Sequence, residues 1–79
     1  MRLDKYLKVS RLIKRRTVAN EACDAGRVLI NGKVAKASQE VKIGDTIEIQ
    51  FGQKAVKVKV TEIKETTRKE DAGNMFEYL

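Results

Sequence analysis

Seventy-nine residues make one domain, with no room for a catalytic cleft between two domains. At 42% hydrophobic and 35% charged the chain is too apolar to be disordered, its single cysteine excludes an internal disulfide, and no apolar run nears the roughly 18 residues of a membrane span. The net charge of +6 is one-sided: residues 1–36 hold ten Lys/Arg and three Asp/Glu (+7), residues 37–79 seven and eight (−1), which predicts one electropositive face turned to a polyanion.

A domain this small buries only about 60% of its unfolded surface, so its stability is expected near 5 kcal/mol. The N-terminus lacks the apolar core of a signal peptide. The expectation is a soluble cytoplasmic protein, monomeric or weakly associating, with Cys23 packed inside.

The basic excess is concentrated between Arg2 and Thr17, where seven cations face one acid, Asp4. Leu3, Tyr6 and Leu7 fall on one side of a helix at 3.6-residue spacing, and Arg2, Lys5 and Lys8 on the other. Asp4 lies in the first helical turn, where a carboxylate suits the dipole and can orient a neighbouring arginine. Ser10 to Arg16 reads as a connection anchored by Leu12 and Ile13. Thr17 then caps a second helix reaching about Ala25, with Val18, Ala19, Ala22, Cys23 and Ala25 inward and Asn20, Glu21 and Asp24 outward. Gly26 stops it, and the two helices form a hairpin. Lys14, Arg15 and Arg16 precede the second helix, whose N-terminal amides already favour an anion. That chemistry selects a phosphate, whether of a protein, an acidic lipid or RNA.

Strand signals begin at Arg27. Val28-Leu29-Ile30, Asn31-Gly32 and Lys33-Val34-Ala35 predict a two-residue hairpin. The turn reads either as purely structural or, with Lys33 and Lys36 beside it, as an extension of the basic surface. Gly44-Asp45 marks another turn. Thr46 to Phe51 alternates, sending Ile47, Ile49 and Phe51 inward. After a Gly52-Gln53 loop, Val56, Val58 and Val60 return inward, with Lys57 and Lys59 as solvated edge charges, Glu48 among the acids opposite. Thr67-Arg68-Lys69-Glu70 is a capping box for a short C-terminal helix ending near Gly73. Met75, Phe76, Tyr78 and Leu79 then return to the sheet or core, or form a partner-binding strip. The fold class is α+β, a helical hairpin on a small twisted antiparallel β-sheet, with residues 1–62 as the binding domain and 63–79 as an extension packed on it.

Histidine is absent, the lone cysteine cannot build a zinc site, and no acid cluster has calcium or magnesium spacing. No glycine-rich phosphate loop is present. The sequence predicts no catalysis, no metal and no cofactor.

The runs Arg2-Leu3-Asp4-Lys5-Tyr6-Leu7, Arg15-Arg16-Thr17 and Gly26-Arg27-Val28-Leu29-Ile30-Asn31-Gly32-Lys33 together resemble the RNA-binding domain named after ribosomal small-subunit protein S-four. The resemblance covers about residues 1–60. Lys8 through Arg16 narrows it to the heat-shock protein 15 family. Phe51-Gly52-Gln53-Lys54, Ala72-Gly73-Asn74-Met75 and the lack of a long basic tail are similar to that family's branch in bacterial ribosome-associated quality control. The resemblance implies a protein that binds obstructed large ribosomal subunits, contacting large-subunit ribosomal RNA and peptidyl-tRNA. It would steady the P-site tRNA while the tailing factor RqcH adds alanine to the stalled chain. Carried onto this sequence, Arg2, Lys5, Lys8, Arg11, Lys14, Arg15 and Arg16 would grip phosphates, with Leu3 and Asp4 of the first motif in the RNA-binding set. Thr17 and Asn20 would add hydrogen bonds, and Lys33 and Lys36 would reach a second strand. The residues themselves leave two alternatives, a protein-interaction adaptor using the Lys54 to Val60 edge and an RNA-targeting subunit of a modifying enzyme.

Overall fold

A computed structural model describes residues 1–64 and 75–79. Helix α1 spans Leu3–Val9 and α2 spans Arg16–Asp24. The strands are β1 (Val28–Ile30), β2 (Lys33–Val34), β3 (Thr46–Phe51), β4 (Lys54–Val60) and β5 (Phe76–Tyr78). They form one antiparallel sheet in the order β2-β1-β3-β4-β5, so the α+β class read from the sequence is the one observed.

Helix α1 forms because Leu3, Tyr6 and Leu7 share one face, and all three are fully buried. Its first amides are satisfied from outside the helix: Leu3 N–H donates to the Gln39 carbonyl at 2.8 Å and Asp4 N–H to that of Ala37 at 3.1 Å. These bonds moor the helix start to the segment between β2 and β3. The helix ends at Ser10, and Arg11 follows at φ 63°, the left-handed region that costs a residue with a Cβ about 1 kcal/mol.

Helix α2 begins two residues before the expected position. Arg15, extended at φ −123°, is the cap residue and offers no side-chain hydrogen bond. Thr17 is therefore an exposed helical residue rather than the cap. The buried stripe is also narrower than expected. Ala19 and Cys23 are inside, whereas Val18 is 45% exposed and Ala25, the C-cap residue, also faces solvent. Gly26, at φ 73°, lets Arg27 N–H reach the Ala22 carbonyl at 2.9 Å and closes a Schellman turn.

Asn31 and Gly32, at φ 52° and 84°, make the predicted turn between paired Ile30 and Lys33. The Asn31 Nδ2 donates to Asp45 at 3.2 Å and its Oδ1 accepts from Thr46 N–H at 3.0 Å, which fastens the hairpin to the start of β3. Ile47, Ile49, Val58 and Val60 fill the inner face of the sheet together with Val28 and Ile30. Phe51, expected inward, is 48% exposed because it ends β3 beside the Gly52-Gln53 turn.

The second half of β4 is not an edge. Strand β5 pairs with it through Val58–Tyr78, Lys59–Glu77 and Val60–Phe76, so Lys57 and Lys59 sit within the sheet's outer face, Lys57 at 3.7 Å from Glu48. The adaptor alternative loses the second half of its strand, Lys57 to Val60. Met75 is fully buried, and its carbonyl accepts from the Tyr6 hydroxyl at 2.8 Å and from the amides of Thr61 and Glu62. Tyr78 and Leu79 stay exposed. The expected C-terminal helix, at 67–73, lies outside the described residues.

Candidate nucleic-acid interface

The interface is built around a carboxylate. Asp4 is 2% exposed on the second residue of α1, and its oxygens collect donors from both helices. Arg16 Nε lies at 3.3 Å and Nη2 at 3.4 Å, Arg2 Nε at 3.3 Å, Asn20 Nδ2 at 3.4 Å and the Lys5 amide at 2.8 Å. Burial alone would raise the Asp4 pKa. The Arg16 hydrogen bond, the Lys5 amide and the charges of Arg16 and Arg2 outweigh it and hold the carboxyl below its usual value. Arg2 and Arg16 keep 54% and 48% of their side-chain surface in solvent. Each guanidinium is thus anchored on its inner side and open on the outer. Two fork-shaped donors fixed side by side suit adjacent phosphate oxygens.

The uncapped start of α2 lies in the same place, and its leading amides and dipole favour an anion there. Among the described residues no carboxylate pairs with Lys8, Arg11, Lys14, Arg15 or Lys36, all of them exposed. Lys8 is in the last turn of α1, and Arg11, Lys14 and Arg15 lie along the connection to α2, so the cations run from one helix start to the other.

Arg11 stores the local strain. Arg11→Gly is expected to keep or raise the melting temperature, since glycine adopts this φ without a Cβ clash, and to weaken RNA binding by removing a cation. Thermal scans and anisotropy titrations on one preparation check both signs.

The structure brings Arg2, Asp4, Arg16 and Asn20 into direct contact and sets Lys36 in one cleft with Arg2 and Asn20. Lys33 is exposed on β2 and does not line that cleft. Leu3 departs from its expected place. It has no exposed surface, because the spacing that puts it with Tyr6 and Leu7 sends it into the core, where no RNA reaches. Asp4 likewise turns inward, where it holds Arg2 and Arg16.

Sequence reasoning left Asp24 as one more outward polar residue. It lines the cleft beside Arg2, Asn20 and Lys36. The legible signal was spacing, since Arg16, Asn20 and Asp24 follow at intervals of four and form one stripe of α2. Cys23 in the cleft wall is 4% exposed, and burial with the charges of Asp4 and Asp24 pushes its thiol up to about 11, so it stays protonated and inert. Among the described residues no group of three or more Cys, Asp or Glu is placed to hold a metal, and no helix is long and apolar enough to cross a membrane.

A helical hairpin whose two N-termini meet over a small antiparallel sheet, with arginines locked at the junction, is the architecture of a nucleic-acid-binding module. Residues 1–47 match the S4 domain. The RQC P-site tRNA stabilizing factor of Bacillus subtilis is 62% identical over 79 residues, all of this chain and 92% of the relative. That of Streptococcus pneumoniae is 58% identical, again over all of this chain, with 90% of the relative covered. The trimeric heat shock protein 15 structure from Vibrio cholerae superposes with a TM-score of 0.92 at 30% identity, covering 100% of this chain and 81% of that one. The chain belongs to the S4-domain family, on the branch of the RQC P-site tRNA stabilizing factors.

Proposed function

We propose that this chain is a non-catalytic RNA-binding factor of bacterial ribosome-associated quality control, acting on large ribosomal subunits obstructed by peptidyl-tRNA. Its cations hold phosphates of large-subunit ribosomal RNA and of the tRNA, and so steady the tRNA in the P site while RqcH tails the stalled chain with alanine. Residues 1–62 form the binding domain and 63–79 its extension. The observation that carries this reading is the Asp4 carboxylate, which fixes Arg2 and Arg16 with their outer faces open. RNA helices are recognised by phosphates, shape and 2′-hydroxyls, and a rigid cationic edge matches that target. The relatives named for stabilizing P-site tRNA support the same assignment. The absence of histidine and a buried thiol whose pKa is pushed up to about 11 support a role without catalysis.

Crosslinking in lysate followed by RNA identification tests it. Large-subunit ribosomal RNA together with tRNA is the expected product, and recovery of neither would refute the proposal. With about five phosphates neutralised, log affinity should fall against log salt with a slope of roughly −3.5 to −4.5.

A further inference from the structure

The cleft between α2 and the segment after β2 holds about 500 Å³, a volume suited to one small ligand. Its charged groups come from three parts of the chain: Arg2 before α1, Asp24 at the end of α2 and Lys36 after β2. Buried Ala35 and Ala37 give it small apolar walls.

Asp24 is out of place on such a surface. An exposed acid repels a polyanion, and at the C-terminus of α2 it also meets the unfavourable end of the helix dipole. Asp4, the other acid here, has its oxygens occupied by protein donors, whereas Asp24 has no ion pair or side-chain hydrogen bond among the described residues. Phosphates only accept hydrogen bonds. In a bound RNA the donors are 2′-hydroxyls and base N–H groups, and a carboxylate with two open oxygens matches two adjacent N–H groups best. Guanine offers that pair, N1–H and N2–H₂, on its Watson–Crick edge, next to an O6 that accepts from a cation.

We propose that this cleft is a guanine pocket. A guanine unstacked from the bound RNA enters it, Asp24 accepts from N1–H and N2–H₂, and Lys36 donates to O6. Arg2 belongs both to the phosphate clamp and to the cleft wall, so the strand it holds passes the pocket mouth. The pocket rests on the RNA-binding reading above and adds sequence choice to it, because phosphate contacts bind all sequences alike and base edges discriminate.

The test uses the full chain and RNA hairpins that share one stem and carry a single bulged G, A, C or U, or no bulge, titrated by fluorescence anisotropy at one salt concentration. The guanine bulge is expected to bind roughly tenfold tighter than the other three, the size of one good bidentate base contact. Asp24→Asn should erase that preference. The same variant should leave binding to the unbulged stem equal or slightly tighter, since a negative charge is gone, and should not lower the melting temperature. Binding of the stem without guanine preference, or a preference that survives Asp24→Asn, overturns the pocket and leaves the RNA-binding reading standing. Failure to bind any hairpin overturns both.

Discussion

Asp4→Asn is expected to weaken RNA binding about tenfold although it raises the net charge from +6 to +7. Charge alone argues the other way, because a polyanion prefers a more basic protein. Geometry decides the sign. The carboxylate accepts from Arg2, Arg16 and Asn20 at 3.3 to 3.4 Å, and an amide in its place turns an N–H₂ toward guanidinium donors. Both arginines then move freely and must be ordered again on binding, at about 0.5–1 kcal/mol each, which together is roughly a factor of ten. The fold weakens too. Losing charge-assisted bonds to a buried site costs about 2 kcal/mol, or roughly 10 °C in melting temperature for a domain of this size.

The acid limb separates this from a general loss of structure. The Asp4 pKa is lowered in the folded chain, so its contribution is fully present above the unfolded value near 4 and is lost as pH falls through the folded value. Wild type should therefore lose stability below about pH 4 more steeply than Asp4→Asn. Tighter RNA binding by the variant at neutral pH would rule out the clamp.

Arg16→Ala should remove most co-sedimentation with obstructed large subunits. It deletes one phosphate contact and also leaves Arg2 without its partner across the carboxylate. The salt slope should become shallower by about one and the affinity fall about tenfold. The protein should stay folded, because Asp4 keeps Arg2, Asn20 and the Lys5 amide, and the 48% exposure of Arg16 limits the cost to about 1 kcal/mol. Arg16→Lys keeps the charge without the fork and should fall between the two. Lys14→Ala, with no tie to Asp4, should change the salt slope and leave the acid limb alone. Wild-type sedimentation by Arg16→Ala would remove this residue from the interface.

What could be read in the chain was local. Leu3, Tyr6 and Leu7 show their shared face through spacing, and Asn31-Gly32 shows its turn through the backbone angles those residues tolerate. The α2 start was misread because a good capping residue, Thr17, stands two residues beyond the extended Arg15, where the helix already begins. Phe51 follows the alternation of its strand and is half exposed because it ends β3 beside the turn, which alternation does not encode. The return of the C-terminal residues to the sheet was legible in their apolar character, but their pairing with β4 was not, since a three-residue strand carries too little pattern to show its partner. At the interface the cations and the orienting role of Asp4 were legible from composition and position. The convergence of Arg2, Arg16 and Asn20 on one carboxylate was not, because it depends on how two helix starts meet. Leu3 entered the RNA-binding set through motif likeness, against its own periodicity, and the periodicity was right.

The Met75 carbonyl joins three donors, one of them on Tyr6, 69 positions earlier in the chain. Such a closure fixes when folding can finish. A nascent copy that has not yet reached residue 75 leaves a buried phenol and two amides with no acceptor, and an incomplete sheet beside them. A chain cut short of residue 75 therefore lacks the acceptor that closes this part of the core.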